Sequence, residues 1–276
     1  MSRPVTLLLD NGSLAPVATL RLRELASALA ARVGAPVEPV SLLHSSAIPA
    51  DALGGRPAEI FEPAVARRAA GGAQDFFVVP LFFGPSRALT DYLPERVAQL
   101  RVRHPGLRVR VAPPLFDPAD PRLAKILADH VRAVPVEADS GPLRVALVDH
   151  GSPVPVVTRV RDALAEQLQR LLGAAAIVAP CSMERRPGPD YAFNEPLLED
   201  LLASEGWNCG PVIVAMQFLL PGRHAGPEGD VAEICRRVAA VYPRLVTRLT
   251  PLVAEHPLLP DILADRWRAG QGAAPL

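Results

Sequence analysis

Cysteine is scarce in this chain. Cys181, Cys209 and Cys235 are the only three among 276 residues, and no two of them form a CxxC pair. An odd, scattered set argues against a disulfide framework, and without paired cysteines or closely spaced histidines a structural zinc site has nothing to close it. Net charge is lacking too, since lysine plus arginine and aspartate plus glutamate each number 29. No global field draws the chain to nucleic acid or to an anionic membrane, so neither is expected as a partner. An anionic ligand would have to be held by local arginines. Long hydrophobic runs are missing as well: the charge-free stretch 212–220 is far too short to span a bilayer. Val5 already opens a strand pattern, which leaves no room for a signal peptide. The expectation is a cytoplasmic protein with reduced thiols.

Common catalytic signatures are also absent. Gly151 and Ser152 lack the G-x-S-x-G frame of a nucleophile elbow, no Walker A lysine loop occurs, and no G-x-G-x-x-G follows a strand pattern. What the chain does contain is an internal repeat. Asp10, Asn11, Gly12 and Ser13 follow an apolar run at 5–9, and Asp149, His150, Gly151 and Ser152 follow a matching run at 145–148. Segment 82–88 (FFGPSRA) reads against 218–224 (FLLPGRH), and Ile126, Leu127, Ala128, Asp129 against Ile262, Leu263, Ala264, Asp265. With 49% apolar and 21% charged residues, the composition is that of a globular protein. The repeat divides it into two domains, expected at 1–136 and 143–270, each long enough for its own core. Segment 135–142 has linker chemistry, and the tail from Gly270 onward is expected to fray.

In each half, short apolar runs alternate with amphipathic ones, the pattern of βα units around a parallel sheet. Strands are expected near 5–9, 37–43, 75–83 and 108–114, then near 144–148, 175–180, 211–220 and 245–250. Helices are expected near 17–33, 58–70, 91–103 and 121–133, then near 156–172, 195–204, 229–241 and 258–268. Gly34 fits a helix C-cap, and Asp91 with Pro94 fits a helix start. In such sheets ligands bind beyond the carboxyl ends of the strands, where strand order reverses. His150 follows the first strand of its half and His224 the third. A flavodoxin-like order makes those strands neighbours and brings the two histidines together.

At both positions where the second copy carries histidine the first does not, having Asn11 and Ala88 instead. Asparagine can make similar loop hydrogen bonds but is a poor base and a weak ligand for transition metals; alanine can do neither. Gly151 lets the chain turn sharply, and Ser152 can cap the following helix. His150 is placed to bind a divalent metal or accept a proton near neutral pH, or simply to hydrogen-bond a loop carbonyl. His224 sits among Gly222, Gly226 and Gly229, in a loop that can approach a flat ligand or just carry an exposed histidine. Glu184, at the end of the second strand, reads against His44 in the first copy. It is a third ligand, a proton acceptor, or an ordinary salt-bridge or helix-start glutamate. Glu228 and Asp230 are weaker metal candidates that also suit a helix N-terminus. Arg223, Arg185 and Arg186 crowd the same rim and suit carboxylate recognition, with Arg87 keeping one such position in the first copy. His104, His130 and His256 look ordinary, His130 lying near a helix C-terminus where a cation is favoured. What remains is a two-histidine, metal-capable cleft.

These residues resemble the type II chelatase family, the CbiX/SirB-like sirohydrochlorin chelatases of siroheme and cobalamin synthesis. The resemblance is carried by segment 147–152 (LVDHGS), segment 218–226 (FLLPGRHAG), Pro251 with Leu252, and segment 262–265, each echoed in the first copy. It covers nearly the whole chain. It implies an α/β fold of two tandem flavodoxin-like domains, each a four-stranded parallel sheet flanked by helices, with a tetrapyrrole cleft. It also implies a lyase that inserts a divalent metal, Co²⁺ or Fe²⁺, into a sirohydrochlorin-like tetrapyrrole, the metal being substrate and no organic cofactor being needed. Carried over by position, His150 and His224 bind the metal and accept pyrrole protons, with Glu184 as helper. Gly151, Ser152, Arg223 and Arg185 are the expected tetrapyrrole contacts. Two-domain relatives of the SirB type are expected to keep their histidines in the N-terminal half. The C-terminal placement here is similar instead to the cobaltochelatase and ferrochelatase branches. The alternative is a catalytically degenerate protein that holds tetrapyrrole or metal, whereas a hydrolase on the same fold has nothing distinctive to support it. The sequence leaves a homo-oligomer open.

Overall fold

The computed structural model describes residues 3–136 and 141–276. Of the expected linker, residues 137–140 lie outside the described residues. Parallel strands covered on both faces read as continuous apolar runs rather than alternating ones, and these strands do so. In β1 (Val5–Asp10) Leu7, Leu8 and Leu9 are fully buried, as are Val145, Ala146, Leu147 and Val148 in β5 (Leu143–Asp149). Each large side chain removed from water in this way contributes roughly 1.5–3 kcal/mol.

All strands are parallel. β2 (Val37–Ser41), β1, β3 (Asp75–Pro80) and β4 (Arg108–Val111) form one sheet in the order β2-β1-β3-β4. β6 (Ala176–Ser182), β5, β7 (Gly210–Met216) and β8 (Leu245–Leu249) form the second, in the order β6-β5-β7-β8. This is the expected flavodoxin-like order, with the switch point between the first and third strand of each sheet. β3 and β7 end before the expected 83 and 220. The apolar residues beyond them form loops over the strand ends, where the Phe82 and Phe218 carbonyls accept from the Leu115 and Val253 N–H groups.

The chain divides into two compact units, 1–115 with 257–276, and 116–256. In the first, α1 (Pro16–Val33) packs on α8 (Leu259–Ala269) over one sheet face. There α2 (Phe61–Ala70) and α3 (Leu93–Arg103) cover the other face around Phe61, Phe76, Val97 and Leu100. In the second unit α4 (Arg122–Ala133) and α5 (Pro155–Leu172) pack together on one face. On the opposite face α6 (Leu198–Ala203) and α7 (Asp230–Val241) bury Leu198, Leu202, Val231 and Cys235. The last helix of each repeat therefore belongs to the unit built on the other repeat's sheet. The boundaries 1–136 and 143–270 follow the sequence period, whereas the packing divides the chain elsewhere.

Local chemistry explains the helix ends. α1 begins on Pro16, whose missing N–H is harmless in a first turn, and ends at Gly34. There φ is 64°, and the glycine N–H donates to the Ala30 carbonyl. The tail does not fray as expected. Leu276 N–H donates to the Val109 carbonyl, and Arg110 donates to the Gln271 carbonyl at 2.5 Å, because the edge of β4 offers unpaired groups. His130 is also not the expected helix-end cation: it is buried in α4, and burial together with His256, 5.4 Å away between ring centroids, pushes its pKa down. Among the described residues no helix is long and apolar enough to cross a membrane.

Candidate metal centre

The chain leaves the carboxyl end of β5 through Asp149 and His150 and reverses at Gly151. φ there is 89°, and a Cβ would lie 1.9 Å from the Glu184 carbonyl oxygen. Only glycine lets the His150 loop lie against the loop after β6. The Glu184 N–H in turn donates to the His150 carbonyl at 3.3 Å, so the two loops are fixed side by side. Ser152 does not cap α5 as expected. Its Oγ accepts from the Val154 N–H two residues on, a local turn that shapes the loop before the helix begins.

His224, carried by the loop after β7, meets His150 with ring centroids 4.6 Å apart and planes inclined at 68°. The neighbouring strands thus bring together residues far apart in sequence. Each imidazole is held by its Nδ1. His150 Nδ1 lies 3.1 Å from the Gly151 carbonyl, which can only accept, and His224 Nδ1 lies 2.6 Å from Asp230 Oδ2. Neutral imidazoles donating through Nδ1 keep lone pairs on Nε2, the arrangement seen where a histidine ligates a metal. Glu184 Oε1 stands 3.5 Å from His150 Nε2, too far for a strong hydrogen bond but near enough to share an ion or a proton. Among the described residues no group of three or more His, Cys, Asp or Glu side chains closes into a metal-holding set. Asp230 is turned toward its histidine and Glu184 is 61% exposed, so the centre is open.

The other expected residues are placed as follows. Arg223 is 84% exposed, its Nε 3.5 Å from Asp230 Oδ2. Arg185 folds back on its own loop, pairing with Glu195 at 2.9 Å and donating to the Arg186 and Gly188 carbonyls. Arg186 lies 5.9 Å from the centre of the Tyr191 ring. Glu228 points away toward Arg236 at 3.7 Å. Cys181 and Cys235 are buried in the core, where burial pushes both thiols up and keeps them from acting as ligands.

Beneath the histidine loop lies a buried polar group that the sequence did not reveal. Ser182 Oγ donates to Asp149 Oδ1 at 2.6 Å, and Arg161 Nη1 donates to Ser182 Oγ at 2.7 Å. Burial pushes the Asp149 carboxyl up, while Ser182 and Arg161 pull it back. A signal existed: an arginine at 161 on the apolar face of α5, where the first copy has Leu22.

The first copy lacks most of this centre. Leu43 N–H donates to the Asn11 carbonyl as Glu184 N–H does to that of His150, so Leu43 and not His44 is the counterpart of Glu184. His44 lies one residue further on, at φ 67°, beyond the paired loop. Ala88 begins a π-helical turn (Ala88–Tyr92) leading into α3, and Pro94 stands where α7 has Asp230. Asn11, Ala88, Leu43, Pro94 and Leu22 stand where the second copy has His150, His224, Glu184, Asp230 and Arg161, while Asp10 and Arg87 keep the places of Asp149 and Arg223.

The model of the CbiX family matches residues 5–134 and again 144–269. No curated protein matches the chain in sequence. Among solved structures, SirB from Bacillus subtilis with Fe³⁺ is 20% identical, with a TM-score of 0.70, over 98% of this chain and 96% of its own. SirB from Bacillus subtilis subspecies spizizenii in complex with cobalt is 19% identical, with a TM-score of 0.70, over 97% and 94%. CbiX, the terminal enzyme for biosynthesis of siroheme in denitrifying bacteria, is 20% identical, with a TM-score of 0.58, over 98% and 100%. These likenesses establish the shared fold.

Proposed function

From the premise that the chain belongs to the CbiX family, we propose that it is a metal chelatase working from the His150–His224 centre. In this reading it inserts Co²⁺ or Fe²⁺ into sirohydrochlorin or a related tetrapyrrole, as a cytoplasmic lyase of cobalamin or siroheme synthesis. The observation that carries it is the 4.6 Å pairing of two imidazoles, each anchored at Nδ1.

The chemistry follows from what insertion demands. A divalent ion replaces two N–H protons of the macrocycle, so one ion enters and two protons leave. The Nε2 lone pairs of His150 and His224 receive the incoming ion. Two imidazoles hold it without trapping it, whereas four protein ligands would make a closed structural site. After transfer the same imidazoles are free to take the pyrrole protons, and Glu184 passes them to solvent from its exposed position. Arg223, at the rim, offers a guanidinium fork to the carboxylates of the macrocycle.

The test is anaerobic metallation of sirohydrochlorin with Co²⁺ and with Fe²⁺, followed by absorbance in wild type, His150→Ala and His224→Ala. Acceleration above the spontaneous rate that both substitutions abolish is the expected result. A bound macrocycle metallated no faster than in buffer would replace the enzyme with a tetrapyrrole-binding protein, a reading that the stripped first copy makes physically reasonable.

A further inference from the structure

Arg161 is only 2% exposed, the most deeply buried charged side chain among the described residues. A guanidinium in a core is costly unless its donors are met. Here Nε and Nη2 reach Asp162 Oδ1 at 2.9 and 2.8 Å, and Nη1 donates to Ser182 Oγ at 2.7 Å and to the Asn194 carbonyl at 3.0 Å. The two Nη1 contacts begin separate arms. Through Ser182 the first reaches Asp149 Oδ1, which also accepts the Gly151 N–H at 3.0 Å. The second runs through Asn194, which is completely buried. Asn194 Oδ1 accepts the Ser152 N–H at 2.9 Å, and Nδ2 donates to the Ser152 carbonyl at 3.0 Å. The residues on both sides of His150 are tied to one guanidinium.

We propose that Arg161 is the positioning residue of the metal centre, its two arms fixing the 149–152 loop and so holding His150 against His224. The inference rests on the chelatase reading above. The first copy supplies the contrast. α1 and α5 are both 18 residues long and both begin on proline, and Leu22 stands in α1 where α5 has Arg161. The sheet folds there without the cation. Ser41 and the Gly12 N–H still hold the Asp10 carboxyl as Ser182 and Gly151 hold Asp149, but Asp10 Oδ1 has no hydrogen-bond partner, Leu22 stands where the guanidinium would be, and the loop carries Asn11 in place of a histidine. Where the histidine is absent, the guanidinium beneath it is absent too, although the aspartate and serine remain. A guanidinium needed only for folding would have no reason to follow the histidine.

The experiment compares full-length wild type with Arg161→Leu, which copies the first half, and with Ser182→Ala and Asn194→Ala, which each cut one arm. Three quantities are read: Co²⁺ affinity with its ligand-field absorption spectrum, kcat and KM for sirohydrochlorin metallation, and the His150 imidazole resonances of the metal-free protein. Arg161→Leu is expected to bind Co²⁺ about tenfold more weakly with an altered spectrum. Its kcat should fall about tenfold while KM for the tetrapyrrole stays within about twofold, a split that general loosening of the fold would not produce. The single-arm variants lose less, in the same direction. Wild-type Co²⁺ affinity, spectrum and kcat in Arg161→Leu would overturn the proposal. Should that variant fail to fold, unchanged spectra and kcat in both single-arm variants would do so instead. If wild type neither metallates nor shows a Co²⁺ spectrum sensitive to His150→Ala, the chelatase reading itself has failed. The imidazole resonances then decide separately: displaced in Arg161→Leu they uphold the positioning role, and unmoved they end it.

Discussion

Asp230 holds His224: its Oδ2 lies 2.6 Å from the imidazole Nδ1, and it is the first residue of the helix that follows the histidine loop. The carboxylate lies in the first turn of α7, where the helix dipole favours a negative charge, and fixes the ring in the tautomer that leaves Nε2 open. Asp230→Ala should therefore lower Co²⁺ affinity and the metallation rate by about 10- to 100-fold. Asp230→Asn, which keeps an acceptor oxygen, should lose less. Titration of both variants with Co²⁺ checks this, and equal affinity in wild type and Asp230→Ala would show that the ring is held by something else.

Glu184 calls for a different signature. Its carboxylate is 61% exposed and 3.5 Å from His150 Nε2, so it contributes little to folding. Glu184→Gln should leave stability within about 0.5 kcal/mol of wild type. The same change should slow metallation about tenfold or more if the carboxylate carries protons away from the centre. Chemical denaturation and the metallation rate, measured on one preparation, separate the two effects. A variant as fast as wild type would remove Glu184 from the reaction.

Much of this was legible in the sequence, and the misses share a cause. Continuous apolar runs such as 145–148 announce parallel strands because both faces are covered, whereas the flavodoxin-like strand order was carried by the family resemblance and not by that pattern. His150 and His224 stood out because the repeat supplied its own comparison in Asn11 and Ala88. At His44 the sequence offset misleads, since spacing cannot show which residue of a loop bonds the neighbouring loop; the Leu43 N–H does. Arg185 and Arg223 both looked like rim cations, but Arg185 is consumed by Glu195 and its own loop carbonyls. Arg161 and Asn194 went unnoticed because their meaning lies in contacts across elements, which no local pattern records. The exchange of the last helices between units is likewise invisible to periodicity, since a helix reads the same whichever sheet it covers.

Gly151 and Gly12 make a matched pair for separating fold from function. A Cβ at Gly151 would lie 1.9 Å from the Glu184 carbonyl oxygen, and one at Gly12 would lie 1.8 Å from that of Leu43, at φ values of 89° and 92°. Alanine at either position forces the two loops apart and strains the backbone. Each change should destabilise the protein by about 2 kcal/mol or more. Only Gly151→Ala should also weaken Co²⁺ binding, because only that loop bears a histidine. Melting curves and Co²⁺ titrations on the two variants test the claim, and a Gly12→Ala protein that lost Co²⁺ binding equally would contradict it.

Asp10 shows what the first copy retained without its partner. Burial pushes its carboxyl up from 3.8 to about 6, against the opposing pull of Ser41 and the Gly12 N–H, and no cation lies where Arg161 serves Asp149. Between about pH 4 and 6 the folded protein binds a proton that the unfolded chain has released, so this group makes stability fall as pH rises through that window. Above pH 6 the buried charge costs at most about 3 kcal/mol. Asp10→Asn keeps an acceptor and removes the charge. It should raise stability at pH 7.5 by about 1–3 kcal/mol and match wild type below pH 4, as urea midpoints at pH 3.5, 5 and 7.5 would register. Asp149→Asn should bring no such gain, since it removes the buried negative charge that faces Arg161 through Ser182 and leaves Asp162 alone to balance the guanidinium. An Asp10→Asn protein less stable than wild type at pH 7.5 would mean that the carboxylate is better solvated than its burial indicates.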